Sequence, residues 1–207
     1  MRHPNARKST LSHRAVKGLL TSTAALLFAL SATNARADEF RLAMQLFLES
    51  DLRPWITDPV LIEAIRAQND EHEGLSQSEI DALDTAWRET VDAGGSDLVD
   101  GVLNGTPADF LREQVAASGG AISEAFVMDN HGLNVASSAA TSDYWQGDED
   151  KFQMTYGAGP DAVHISDIEF DASSETYQGQ ISITIVDPDT GAPIGAITVG
   201  VDAQHLL

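Results

Sequence analysis

The chain has 207 residues, 43% of them hydrophobic, with 12 Lys and Arg against 32 Asp and Glu and no cysteine. That hydrophobic content excludes a disordered polar chain, and the absence of cysteine excludes a disulfide scaffold, thiol chemistry and cysteine metal ligands. A formal charge of −20 argues against a nucleic acid partner, which needs a clustered basic face.

Half of the basic residues, Arg2, Arg7, Lys8, Arg14, Lys17 and Arg36, precede the first acid, Asp38. Between them Gly18 to Ala32 is an apolar stretch shorter than the roughly 20 residues of a comfortable membrane span. It ends in Ala35-Arg36-Ala37. A basic region, a short apolar region and small residues at this spacing predict a secretory signal peptide over residues 1–37, cleaved after Ala37, with an uncleaved anchor as the alternative. The expected product is an exported, strongly acidic protein of one domain, residues 38–207.

Helical punctuation dominates residues 38–120. An opening helix is expected through Leu42, Leu46 and Phe47. Asp58 before Pro59 is an N-cap with proline in the first turn, followed by Leu61, Ile62 and Ile65 at helical spacing. Ser76 and Glu79 form a capping box ahead of Ile80, Leu83 and Trp87, and Gly94-Gly95 stops that helix. Ser96 and Thr106-Pro107 start two more, the last ending at Gly119-Gly120. Over residues 121–207 the period becomes that of strands. Ala125 to Asp129 and Leu133 to Ser137 read as a hairpin around Asn130-His131-Gly132, and Ala162 to Phe170 as a third strand. Tyr177 to Val186, with Ile181, Ile183 and Ile185 alternating with Ser182 and Thr184, is a fourth; Ile194 to Val201, after the Asp187-Pro188-Asp189-Thr190-Gly191 turn, is the fifth. Helices first and an antiparallel five-stranded sheet afterwards give an α+β fold.

This β half resembles a single Cache domain, one of the PAS-like extracytoplasmic sensor domains of bacterial receptors. The resemblance lies in Phe126-Val127-Met128-Asp129 with Gly132, Leu133, Asn134 and Val135, in the irregular segment from Thr141 to Lys151, and in the Asp187-Pro188 turn leading into the Ile194-Gly195-Ala196 strand. It implies a PAS-like sheet and a periplasmic module that binds a small molecule between sheet and irregular segment. It implies no enzymatic activity and no cofactor. Cache receptors continue into a membrane helix and a kinase, cyclase or chemoreceptor, whereas this sequence stops at Leu207. Signalling is therefore expected to pass through a separate membrane-bound protein. A homodimer through the helical half is left open.

The segment from Thr141 to Tyr156 also carries the densest mixed chemistry. Tyr144, Trp145 and Tyr156 offer rings with polar edges, Asp143 and Asp148 offer acceptors, and Lys151 is the only lysine after residue 37. A pocket needs apolar walls and a few oriented polar groups, so these six residues are the candidate ligand contacts. A structural role is the competing reading, with Trp145 plugging the sheet and Lys151 paired to Asp148 or Glu149. No metal site is predicted: His72, His131, His164 and His205 are scattered, without HxxxH or HExxH spacing. Calcium at Asp187–Gly191 is the inorganic alternative, and the same residues equally describe a hairpin turn. A constitutive protein-interaction module and an exported enzyme complete the alternatives; no GxSxG elbow is present.

Overall fold

The computed structural model describes residues 38–171 and 176–206. The predicted leader over residues 1–37 lies outside them. No described helix is long and apolar enough to cross a membrane. From Phe40 onward the chain forms one compact unit.

The helices begin where the local capping chemistry places them. In α1 (residues 38–47), which continues into a π-helical turn at Leu48–Leu52, the buried side chains are Phe40, Met44, Leu48 and Leu52. Leu42 and Leu46, read from sequence as its apolar positions, are 57% and 62% exposed. The four-residue ladder from Phe40 reaches the sheet, and the pair two residues on lies across the helix. Helix α2 (Pro59–Glu71) starts as expected, with the Asp58 carboxylate accepting from Val60 N at 2.9 Å. Helix α3 (Gln77–Thr90) carries both halves of the capping box: Glu79 Oε2 accepts from Ser76 N at 2.8 Å, and the Ser76 side chain accepts in return from the backbone at Glu79. Helices α4 (Asp97–Leu103) and α5 (Thr106–Ala117) follow, with Ser96 capping the first.

The sheet is open, antiparallel and PAS-like, with strand order β2-β1-β6-β5-β3. Its strands are β1 (Ile122–Met128), β2 (Asn134–Ser137), β3 (Val163–Ile165), β4 (Glu169–Asp171), β5 (Thr176–Val186) and β6 (Pro193–Asp202). The expected third strand is thus two short ones. β3 pairs the middle of β5 and β4 its beginning, with Phe170 opposite Tyr177. The chain leaves the ladder between them around Asp167 and Ile168, so the sheet has six strands where five were expected.

Strand alternation divides the sheet into two unlike faces. One presents Ala125, Val127, Ile181, Ile183, Ile185, Ile197, Val199 and Val201, and forms the main core with Leu61, Ile62 and Ile65 of α2, Leu111 of α5 and the α1 ladder. Burying each such side chain stabilises the fold by about 1.5–3 kcal/mol. Gly179 lets α1 approach closely, since a Cβ there would stand 2.9 Å from the Phe40 ring. The opposite face carries Glu124, Phe126, Gln178, Ser182, Thr184 and Thr198, all buried although most are polar. The irregular segment 141–160 covers part of this face: Phe152 packs on Phe126, and Gly159 O accepts from Thr184 Oγ1 at 2.8 Å.

Candidate ligand cleft

The irregular segment is held to the hairpin by backbone hydrogen bonds and to α3 by a carboxylate. Leu133 bridges Trp145; Asn134 N donates to Tyr144 O at 3.0 Å and Gln146 N to Gly132 O at 2.8 Å. Asp84, only 5% exposed on the Ile80–Trp87 face of α3, accepts from both Tyr144 N (3.0 Å) and Trp145 N (3.1 Å) through Oδ1. Its Oδ2 pairs with Arg88, whose other terminal nitrogen stands 3.3 Å from Asp143 Oδ1. Trp87 stacks on Tyr144 with ring centroids 5.6 Å apart and donates Nε1–H to Thr141 O at 2.9 Å. Burial, assisted by the charges of Asp129 and Glu71, holds the Tyr144 phenol well above its ordinary value.

A second anchor sits at the hairpin tip. Asp129, fully buried, accepts from His131 N, Leu133 N and Gln68 Nε2, and lies 2.7 Å from His72 Nδ1. Trp145 Nε1 donates to His131 O at 2.9 Å. Gly132 and Gly147 touch there: a Cβ on Gly132 would lie 2.6 Å from Gly147 Cα. Further on, α6 (Asp150–Gln153) lays Phe152 on Phe126, Met128 and Ala196, and Tyr156 stacks on Phe152 at 5.1 Å. Partial burial raises the Tyr156 phenol as well.

Between this segment and the polar sheet face lies a cleft of about 500 Å³ lined in part by Asp143, Glu149, Lys151, Glu169, Phe170, Gln178 and Gln180. Its floor is an amide and carboxylate network: Glu124 Oε1 accepts from Gln178 Nε2 at 2.9 Å and from Gln180 Nε2 at 3.3 Å, while Ser123 Oγ donates to Gln178 Oε1. Gly200 makes room for it, since a Cβ there would stand 2.6 Å from Gln178 Oε1. Lys151 is 3.0 Å from Glu149 Oε2, donates to Gln146 Oε1 at 3.1 Å and lies 5.5 Å from the Phe126 ring centre. An adjoining recess of about 390 Å³ shares Glu149, Lys151, Glu169 and Gln180 and adds Arg41 and His164.

Of the six sequence-derived candidates, Asp143 and Lys151 line this cleft. Trp145 and Asp148 line, with Asp143, Asp84 and Arg88, a smaller recess of about 270 Å³ on the α3 side. Tyr144 is 2% exposed and turned into the helical cluster of Ile80, Trp87, Val99 and Val102. Tyr156 belongs to the Phe152 stack. Lys151 pairs with Glu149, as the structural reading allowed, and Trp145 packs on the helical cluster instead of the sheet. Sequence reasoning missed Asp84, Arg88, Glu124, Gln178, Gln180, Glu169 and Phe170. A carboxylate on the apolar face of α3 was the available signal for Asp84. Gln178 and Gln180 continue the polar alternation of Ser182 and Thr184, which reads identically whether that face meets solvent or a covered cleft.

At the Asp187–Gly191 turn both carboxylates engage Arg66 of α2, Asp187 with two hydrogen bonds (2.6 and 2.7 Å) and Asp189 with one (2.6 Å). The Arg66 guanidinium holds the Asp187 carboxyl well below the usual carboxylate range. Among the described residues no group of three or more His, Asp or Glu is placed to hold a metal ion.

No family model matches the chain, and no curated protein matches it. Solved structures do. The Vibrio cholerae histidine kinase DctB sensor domain is similar at 14% identity and TM-score 0.45, over 87% of this chain and 58% of that one. The ligand-binding domain of the Campylobacter jejuni chemoreceptor Tlp3 in complex with L-valine is similar at 14% identity and TM-score 0.38, over 81% of this chain and 64% of that one. The chain thus spans about three fifths of the length of these domains.

Proposed function

We propose that this protein is an exported, stand-alone sensor that binds a small molecule in the cleft between β5 and the irregular segment and passes its state to a membrane-bound signalling protein. The leader cleaved after Ala37 and the periplasmic location belong to the same reading. One observation carries it: the sheet face under the segment is polar, buried and opened by a cleft of about 500 Å³. That volume falls in the range of small-molecule sites. Polar side chains on a sheet face that is merely closed over add little stability, because each loses water in exchange for a protein partner.

Communication follows from the anchoring. Asp143 borders the cleft on one side and faces Arg88 on the other, and Arg88 pairs with the Asp84 that holds the Tyr144 and Trp145 amides. A ligand that engages Asp143 alters its pull on Arg88, and so biases the position of α3 by differential affinity for two arrangements.

The test is a thermal-unfolding screen of the purified protein against polar metabolites, each with calcium and with chelator, because a ligand of the native state raises stability by mass action. A metabolite-dependent rise that disappears in Lys151→Met/Gln180→Ala supports the reading. A rise that survives in that double variant removes the cleft as the site, a rise with calcium alone replaces the organic ligand by a cation, and no response to any compound rejects the sensor reading.

A further inference from the structure

An asparagine side chain is open to attack by the backbone nitrogen of the next residue. The attack needs that nitrogen outside a helix or ladder, water at the side chain, and little bulk on the following residue. The described residues include four asparagines, and the fold protects three of them. After Asn69 the chain continues inside α2, so the next amide is a helical donor. After Asn130 the His131 amide is held by Asp129 Oδ1 at 2.8 Å. Asn134 is fully buried, with Nδ2 donating to Thr141 Oγ1 and Asp143 O. Asn104 differs at every point. It is exposed in the link between α4 and α5, and its own N–H makes the last helical bond of α4, to Asp100 O at 2.9 Å. The next residue is Gly105, whose amide donates no hydrogen bond among the described residues. Gly105 sits at φ +99°, and a Cβ there would meet no neighbour within 4 Å. Among the described residues the Asn104 side chain is tied by a single exposed hydrogen bond, from Nδ2 to Asp100 Oδ1 at 3.1 Å.

We infer that Asn104-Gly105 is a site of spontaneous deamidation, where the folded protein turns asparagine into isoaspartate and aspartate without an enzyme. This does not depend on the cleft. The Gly105 nitrogen loses its proton to solvent base and attacks Asn104 Cγ. The bond from Cγ to Nδ2 breaks, and ammonia leaves with a proton returned by solvent. One water then opens the cyclic imide: addition at the side-chain carbonyl gives aspartate, and addition at the main-chain carbonyl of residue 104 gives isoaspartate, whose main chain is one atom longer. Either product puts a carboxylate four residues from Asp100 at the carbonyl end of α4, where like charge and the helix dipole both disfavour it. Helix α4 carries Val99 and Val102 of the cluster that seats Tyr144, and beside the link Arg112 of α5 donates to Leu103 O at 2.7 Å. The added charge and main-chain atom therefore weaken the joint between α4 and α5.

The purified protein is incubated at mildly alkaline pH in water enriched in heavy oxygen, beside a sample unfolded in guanidinium, then digested in ordinary water and read by mass spectrometry. Uptake of the heavy isotope separates conversion during incubation from conversion during digestion. In the folded protein Asn104 is expected to convert at a rate similar to that in the unfolded chain, with isoaspartate exceeding aspartate, while Asn69, Asn130 and Asn134 stay intact. Asn104→Gln, whose longer side chain closes a less favourable ring, should remain unconverted with unchanged circular dichroism. Conversion of Asn104 only in denaturant, or no faster than Asn69 and Asn130 in the folded protein, overturns the inference. Aspartate without isoaspartate overturns the cyclic route in favour of direct hydrolysis. The deamidated fraction, separated by anion exchange, should unfold at a lower urea midpoint than the parent, with Asn104→Asp, which carries the charge without the extra atom, lying between them. A midpoint equal to the parent's overturns the weakening of the joint.

Discussion

Replacing Asp84 by alanine removes the acceptor shared by the Tyr144 and Trp145 amides, the first buried and the second partly so. Each buried N–H left without a partner costs about 1–3 kcal/mol. The pair therefore predicts a loss of about 2–5 kcal/mol, the lower end applying if water reaches the Trp145 amide. Asp84→Asn keeps an oxygen in the same place and loses the negative charge facing Arg88, whose side chain is 56% exposed. Screening at that exposure keeps the ion pair to about 0–1 kcal/mol, and with the weaker neutral acceptor the asparagine variant should lose about 1–2 kcal/mol. Urea unfolding at neutral pH reads both through the shift in midpoint at constant m. Hydrogen exchange locates the effect: the amides of 144–146 should exchange faster in the alanine variant, while those of the β5–β6 ladder change only in step with global stability. Equal losses in the two variants, or an alanine loss below about 1 kcal/mol, would refute the view that Asp84 holds the segment through its backbone.

Other perturbations test other parts of the fold. Because Arg66 depresses the Asp187 pKa in the folded state, the unfolded chain takes up this proton first as pH falls. The stabilisation is therefore complete above about pH 5 and is lost progressively below about pH 4, so urea midpoints of the parent and Asp187→Asn should converge as acid is added. The Tyr144 phenol, raised by burial, follows the opposite course: its contribution is complete below about pH 10 and is lost above it. In a spectrophotometric alkaline titration one tyrosine should resist ionisation until the protein unfolds, and Tyr144→Phe should remove that late step. At Gly132, where φ is +83° and a Cβ would meet Gly147 Cα at 2.6 Å, alanine should cost more than about 2 kcal/mol. At Gly191, with φ +72° and open space around it, alanine should cost only the left-handed penalty of about 1–2 kcal/mol. Urea midpoints of the two variants make the comparison, and a larger loss at Gly191 would contradict the close packing at the hairpin tip.

Local chemistry made the helix starts and the long strands legible in the sequence. Asp58-Pro59, the Ser76–Glu79 box and Ser96 cap helices by bonds within three residues, and each helix begins where these place it. The Ile181, Ile183 and Ile185 alternation located β5 and its apolar face. Pairings between distant residues were not legible. Asp84 meets its partners 60 and 61 positions later, and Thr184 in the polar row of β5 meets Gly159 of the covering segment, 25 positions earlier. The stretch from Thr141 to Tyr156 was legible as a cover over the sheet. The division of labour within it was not, because Tyr144 points to the helices and Lys151 to the sheet only once the hairpin has fixed the path of the backbone between them.

The Asp84 clamp grips peptide groups, not side chains. Its hold on residues 144 and 145 is indifferent to what those positions carry, provided neither is proline. The neighbouring cleft-lining positions Ser142 and Glu149 are thereby released from any duty to hold the segment to α3, whereas Asp143 keeps its tie to Arg88. Exchange at those two positions, in the laboratory or in evolution, can retune ligand preference while the Asp143–Arg88–Asp84 link stays intact.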